Sequence, residues 1–156
     1  GTYAALSPFQ VGLLTAVPWI AAAMGAATFP RLATSPRRCR TLLFFGLLTM
    51  AAGLLLASLA NSFIGLIGFS LTALMLFVVQ SIIFVFPSSR LSGSALAAGL
   101  AFVTTCGLFG GFVGPSVMGL IEQTTGSTRN GLWIIAALLV CAALVSTRLR
   151  QGQEQP

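Results

Sequence analysis

The chain has 156 residues, of which 56% are hydrophobic and only 6% are charged, and its mean hydropathy is +0.98. Soluble domains carry roughly 25% charged residues, so this composition excludes an ordinary water-soluble protein and indicates an integral membrane protein. The formal net charge is +6. Because the arginines lie between and after long apolar runs, the positive-inside rule explains this charge more economically than nucleic-acid binding does.

The sequence contains five long apolar segments, and we predict that each crosses the membrane as a helix. At 1.5 Å per residue, about 20 helical residues cross a hydrocarbon core of about 30 Å. The predicted spans are 11–29, 41–60, 63–86, 95–121 and 132–146. The sequence therefore predicts an all-α fold, a polytopic helical membrane protein with a single transmembrane domain over residues 1–156.

The first span opens with Ser7 and Pro8, which is typical of a capped helix start. It contains Pro18 and a run of small residues at 21–27, so one side of it is suited to close packing. Residues 30–40 hold four of the eight arginines and two prolines, and we interpret them as a short cytoplasmic loop. The second span ends at a turn around 61–62 that permits only an antiparallel hairpin with the third.

Gln80 is the main candidate for a substrate-binding residue in the third span. A primary amide left unpaired in hydrocarbon costs several kcal/mol, so Gln80 needs a partner. One interpretation is that it lines a substrate path. The alternative is an interhelical hydrogen bond, which contributes roughly 0.6–2 kcal/mol.

The fourth span carries a glycine stripe, which we define as Gly107, Gly110, Gly111 and Gly114 together with the following Pro115. At 3.6 residues per turn these glycines share one face of a helix. A face without side chains lets a neighbouring helix approach closely. The stripe therefore predicts a helix-packing surface, either tightly static or sliding between moving helices, and the sequence leaves both open.

Thr104 lies about 60° from the line of Gly107 around the same helix and is the second candidate substrate-binding residue. Its hydroxyl group could face a cavity. Alternatively, a threonine in a helix donates to a carbonyl of its own preceding turn, and this alternative stays open here.

The loops predict the orientation of the chain in the membrane. Alternation of the five spans places the first loop, the loop with Arg90 and the C-terminal tail on one side, with seven of the eight arginines. Arg129 alone lies on the other side. The positive-inside rule then predicts an external N-terminus and a cytoplasmic C-terminus, in a cell membrane that is most simply the bacterial inner membrane.

The sequence offers no enzyme or cofactor chemistry. Cys39, Cys106 and Cys141 lack metal-ligand spacing and histidine partners, so we interpret them as small packing residues and predict no metal or cofactor. The two glutamates, Glu122 and Glu154, lie outside the spans, and there is no aspartate, lysine or histidine. No general base is evident within the bilayer, so we do not expect an enzyme.

Three stretches resemble the C-terminal half of a major facilitator superfamily transporter, most closely the anion:cation symporter family. They are residues 6–18, residues 87–93 and residues 107–119 with the Thr-Gly-Ser at 125–127. The Gly-Gly-Phe-Val-Gly-Pro run at 110–115 is the most specific part of the match. The resemblance covers spans eight to twelve and implies twelve spans in two halves, alternating access, and cation- or proton-coupled uptake of small organic anions.

The sequence departs from that family pattern in three places. The loop after the eighth span usually carries glycine, a basic residue and aspartate, but here has Pro30, Arg31 and Thr34. Two asparagines common in the eleventh span are replaced by Thr104 and Leu108. The N-terminal half and the seventh span are absent from this sequence.

We therefore expect the C-terminal portion of a secondary active transporter for small organic anions. Its partners would be the anion, a coupling cation, the lipid bilayer and the missing N-terminal half. The alternative is a non-transporting membrane fragment or assembly partner that binds other helices through its glycine stripe.

Overall fold

The computed structural model describes residues 7–33, 35–59 and 62–148, and this part of the chain is helical without a strand. The helices are α1 (Pro8–Thr28), α2 (Pro36–Ala57), α3 (Ser62–Ser88), α4 (Gly93–Thr125) and α5 (Thr128–Ser146), with a short 3₁₀ helix at Phe29–Leu32. All five α-helices are long and apolar enough to cross a membrane. The predicted all-α membrane fold is confirmed.

The start of α1 has the geometry that Ser7 and Pro8 predict. The Ser7 side chain accepts from the backbone N–H of Gln10 at 3.3 Å, and the Ser7 N–H donates to Oε1 of Gln10 at 2.9 Å. This reciprocal pair is a capping box, and it satisfies two backbone donors that a helix end otherwise leaves unpaired.

The helix α2 begins earlier than the predicted second span. Ser35 accepts from the backbone N–H of Arg38 at 3.3 Å, and Pro36 takes the first helical position, where proline is favoured. As a result Arg37, Arg38 and Arg40 belong to the first turns of α2 instead of the predicted loop. The basic residues are thus held on a rigid helix end.

The centre of the bundle is α2, which packs against α3 on one side and α5 on another. The main hydrophobic cluster has buried members from all three helices: Cys39, Leu43, Leu47, Met50, Val78, Val79, Ile82 and Ala143. Val78 and Ala143 are completely inaccessible. In a membrane, contacts of this kind stabilise the bundle through close packing, because lipid tails are as apolar as the side chains they replace.

Two glycines bring α2 and α3 together. A Cβ atom on Gly53 would lie 2.6 Å from the carbonyl oxygen of Gly68 and 2.9 Å from the backbone nitrogen of Thr72, too close for any real side chain. Thr72 also donates across the contact to the carbonyl of Met50 at 3.2 Å. Glycine is therefore required at this crossing.

The helix α1 packs chiefly on α3, not on its sequence neighbour α2. Ala22 and Gly25 are the buried residues of α1, and a Cβ atom on Gly25 would overlap the backbone carbonyl of Leu74. The small residues of α1 do form a close-packing side, as the sequence predicts.

The helix α4 is the least covered part of the bundle. It has 33 residues, none of them buried, and at 1.5 Å per residue it is about 50 Å long, more than the hydrocarbon core requires. It touches α5 and α3 only lightly. Gly126, with φ of 67°, ends α4 in the left-handed conformation and lets the chain reverse into α5.

The arginines divide between the two ends of the bundle. One hydrophobic cluster joins the end of α1 (Phe29), the start of α2 (Cys39), the end of α3 (Phe86) and the end of α5 (Ala143). This end, which we call the arginine-bearing end, holds Arg31, Arg37, Arg38, Arg40, Arg90 and Arg148. At the opposite end lies Arg129, whose guanidinium stacks 5.7 Å from the ring centroid of Trp133.

Candidate functional site

Gln80 is exposed on α3. Its neighbours Val78, Val79 and Ile82 are buried in the main cluster, so Gln80 lies outside that packed contact. Its amide makes no hydrogen bond to any residue within 7–33, 35–59 and 62–148. A free amide in hydrocarbon is costly, so this position needs water, a substrate or another helix beside it.

Thr104 is also exposed, and its hydroxyl group donates to the carbonyl of Leu100 at 2.8 Å. This is the back-bonded arrangement considered above as the alternative to a cavity-facing role. The hydroxyl oxygen of Thr104 can still accept a hydrogen bond, but its proton is already donated within α4. Gln80 and Thr104 form no hydrogen bond with each other, so the structure does not join the two candidates into one site.

The glycine stripe is uncovered within this chain. No heavy atom of the described residues lies within 4 Å of a Cβ atom built on Gly107, Gly110, Gly111 or Gly114, apart from the helix's own neighbouring backbone. Pro115 is exposed as well. The stripe therefore does not pack against α1, α2, α3 or α5. Its packing role stays a prediction about a helix outside this chain.

Among the described residues, the glycines that closely meet the backbone of another helix are Gly25, Gly53 and Gly68. Gly25 belongs to the small-residue run predicted as a close-packing side of the first span, whereas Gly53 and Gly68 were not singled out from the sequence. A signal was available in Gly53 and Ala57, which have the small-xxx-small spacing. A Cβ atom on Gly68 would lie 3.0 Å from the Cα atom of Ala57. The spacing alone does not say which helix it will meet.

An open cavity of about 550 Å³ lies between α1 and α3. Its walls include Pro18, Trp19 and Phe69, and its polar lining residues are Thr15 and Thr72. Both threonine hydroxyls already donate to backbone carbonyls, that of Thr15 to Gly12 at 2.8 Å. None of the described residues that line the cavity is charged, so it suits an apolar group better than a free anion.

No group of three histidine, cysteine, aspartate or glutamate side chains that could hold a metal ion occurs in the part of the chain that the structure describes. Cys39 is buried in the core, as expected of a packing residue, whereas Cys106 and Cys141 are exposed on helix surfaces. The charged groups are confined to the helix ends and links. Recognition within the bundle would therefore depend on neutral hydrogen bonds and shape.

Comparison with known proteins relates the chain to bacterial transporters. It is 32% identical to the inner membrane transport protein RhmT of Escherichia coli over 142 residues, covering 91% of this chain and 33% of that protein. It is 37% identical to a candidate tartrate transporter of Agrobacterium vitis over 142 residues, covering 90% of this chain and 33% of the relative. Along about nine-tenths of its length the chain is similar to these membrane transporters. The predicted resemblance to a transporter of the major facilitator superfamily is confirmed.

The similarity covers most of this chain but only part of each relative. The chain spans about a third of the length of the curated relatives it matches, as expected of the C-terminal portion of such a protein. A more distant relative, NicT of Pseudomonas putida, is named as a metabolite transport protein and is 26% identical over 141 residues. No family model matches the chain, and no solved structure does.

Proposed function

We propose that this chain is the C-terminal portion of a secondary transporter that takes up small organic anions with a proton or another cation. The observation that carries the proposal is the similarity to named transporters along about nine-tenths of the chain. The Agrobacterium vitis relative is named as a tartrate transporter, and because tartrate is a dicarboxylate, that name supports the anionic substrate class.

The uncovered surfaces support a role as one wall of a larger assembly. Gln80 is an exposed amide in the apolar helix α3, and no described helix covers the glycine stripe of α4. In transporters of this type the substrate lies near the membrane midplane between two halves that rock against each other. Gln80, and Thr104 as an acceptor, would contribute neutral hydrogen bonds, while the other half would supply the charges that bind the anion and the coupling cation.

The arginine-bearing end supports the proposed orientation. It gathers six of the described arginines, and the positive-inside rule places such an end in the cytoplasm. We therefore propose an inner-membrane location with the C-terminus in the cytoplasm and the link between α4 and α5 on the external side.

Uptake of labelled dicarboxylates and sugar acids by cells that express the longer protein containing this chain tests the proposal. Gln80→Ala should raise KM by roughly tenfold or more, because a hydrogen bond to a carboxylate contributes about 1.5–3 kcal/mol. Ser81→Ala is the matched control, since Ser81 is its exposed neighbour whose hydroxyl is already bonded to Phe77 at 2.7 Å. Uptake that is equally sensitive to both changes would refute a specific role for Gln80.

A second candidate function is a non-transporting membrane piece that binds other helices. The open glycine stripe favours it, because four glycines on one face that no other described helix contacts are suited to a helix from outside. The reading frame upstream of the chain distinguishes the two. Six or seven further spans favour the transporter, and their absence favours the assembly partner.

A further inference from the structure

A second cavity, of about 480 Å³, opens at the arginine-bearing end between the start of α2 and the end of α5. It is lined by Arg37, Arg40, Thr41, Phe44 and Phe45 of α2 and by Thr147 after α5. The five α2 residues follow the spacing i, i+3, i+4, i+7 and i+8, so they share one face of the helix. The cavity thus presents a continuous surface that runs from charged groups to aromatic rings.

The outer part of this cavity is positively charged. Arg37 is exposed and Arg40 is half-buried, and among the described residues no carboxylate lines the cavity. Glu122, the acidic residue that the described part of the chain contains, accepts from Thr128 at 3.0 Å near the opposite end of α5. The two guanidinium groups therefore offer their donors to an anion from outside the bundle.

The inner part of the cavity is apolar. The rings of Phe44 and Phe45 meet edge to face with centroids 5.4 Å apart, and Phe45 is 59% exposed. They lie about one helical turn deeper than Arg40, toward the middle of a membrane-spanning helix. The cavity therefore has charged groups at its outer end and apolar rings at its inner end. A phospholipid has the same arrangement, with its phosphate above its acyl chains.

We propose that this cavity binds the phosphodiester headgroup of an anionic phospholipid, phosphatidylglycerol or cardiolipin. Guanidinium groups bind phosphate oxygens in a bidentate manner, and a basic pocket between helices at the membrane surface suits such lipids. Arg37 and Arg40 hold the phosphate, and Phe44 and Phe45 contact the upper acyl chains. The proposal requires the chain to lie in a membrane and does not depend on transport.

Native mass spectrometry of the purified chain, released from detergent with cardiolipin, phosphatidylglycerol or phosphatidylcholine added, measures the affinity for each lipid. The double variant Arg37→Gln with Arg40→Gln should weaken cardiolipin binding on the order of thirtyfold. The control is Arg31→Gln with Arg90→Gln, which removes the same charge from the same end of the bundle but outside the cavity. This control should bind within about threefold of the unmodified chain, and phosphatidylcholine should bind weakly to all of them.

Three results would overturn the proposal. They are unchanged cardiolipin binding in the cavity variant, an equal loss in the control variant, and displacement of cardiolipin by millimolar inorganic phosphate, which would make the site a free-phosphate site. Far-UV circular dichroism checks that each variant stays helical. If the double variant does not, the single variants Arg37→Gln and Arg40→Gln replace it, and each should weaken binding about fivefold. Affinity equal to that of the unmodified chain in both would overturn the proposal as well.

Discussion

Alanine at Gly53 is expected to destabilise the bundle, whereas alanine at Gly110 is not. The new Cβ at Gly53 would lie 2.6 Å from the carbonyl oxygen of Gly68 and 2.9 Å from the backbone nitrogen of Thr72. Because these are backbone atoms, α2 and α3 must move apart, and overpacking of this kind costs about 1–3 kcal/mol. The better helix propensity of alanine offsets up to about 1 kcal/mol. With the full offset, the net loss should be up to about 2 kcal/mol.

Gly110 is the matched control because it is also a helical glycine but has no atom within 4 Å of a built Cβ. Its alanine variant should gain up to about 1 kcal/mol from helix propensity. The assay is unfolding of the purified chain in mixed detergent micelles by added dodecyl sulfate, followed by circular dichroism. Equal midpoints for Gly53→Ala and Gly110→Ala would refute the glycine crossing between α2 and α3.

In the longer protein, by contrast, Gly110→Leu should disrupt folding far more than Leu108→Ala if another helix covers the stripe.

Three further changes test other contacts. Thr72→Val removes the hydroxyl that donates to the carbonyls of Met50 at 3.2 Å and Gly68 at 3.1 Å and should lower the free energy of unfolding by about 0.6 kcal/mol in the same micelle assay. Trp133→Phe removes the 2.9 Å hydrogen bond from Nε1 to the hydroxyl of Ser58, between α5 and α2. The free energy of unfolding in the micelle assay should fall by about 0.6–1.7 kcal/mol. No loss would show that this hydrogen bond does not stabilise the bundle. Ser89 is exposed at the arginine-bearing end, which we place in the cytoplasm. In a chain whose native cysteines are replaced, Ser89→Cys should therefore resist an impermeant thiol reagent in intact cells and react after permeabilisation. Ready labelling in intact cells would show that the proposed orientation is inverted.

The number and type of elements could be predicted from the sequence because they depend on local properties. Long apolar runs separated by charged or polar links require helices in a membrane, and Ser7 with Pro8 marks where α1 begins. The start of α2 was missed because the hydrophobic run begins after the arginines. Ser35 and Pro36 form a helix start before that run, so the helix extends beyond the apolar segment.

The packing of the helices could not be predicted in the same way. Gly53 and the glycines of the stripe look alike in sequence, yet only Gly53 has backbone from another helix against it. Periodicity shows that small residues share a face, but not which helix meets that face. The candidate site has the same difficulty. Gln80 could be identified as an amide that needs a partner, but the partner could not, because Gln80 is exposed and bonds to none of the described residues.

We propose that this chain forms one part of a transport path and requires the rest of the transporter. The most direct measurement is uptake of labelled dicarboxylates and sugar acids by liposomes under a proton gradient, with the chain alone and with the longer protein that contains it. We expect saturable, gradient-dependent uptake by the longer protein and none above empty vesicles by the chain alone, because alternating access needs two halves. Saturable uptake by the chain alone, abolished by Gln80→Ala, would contradict it and show that copies of these five helices build a complete path.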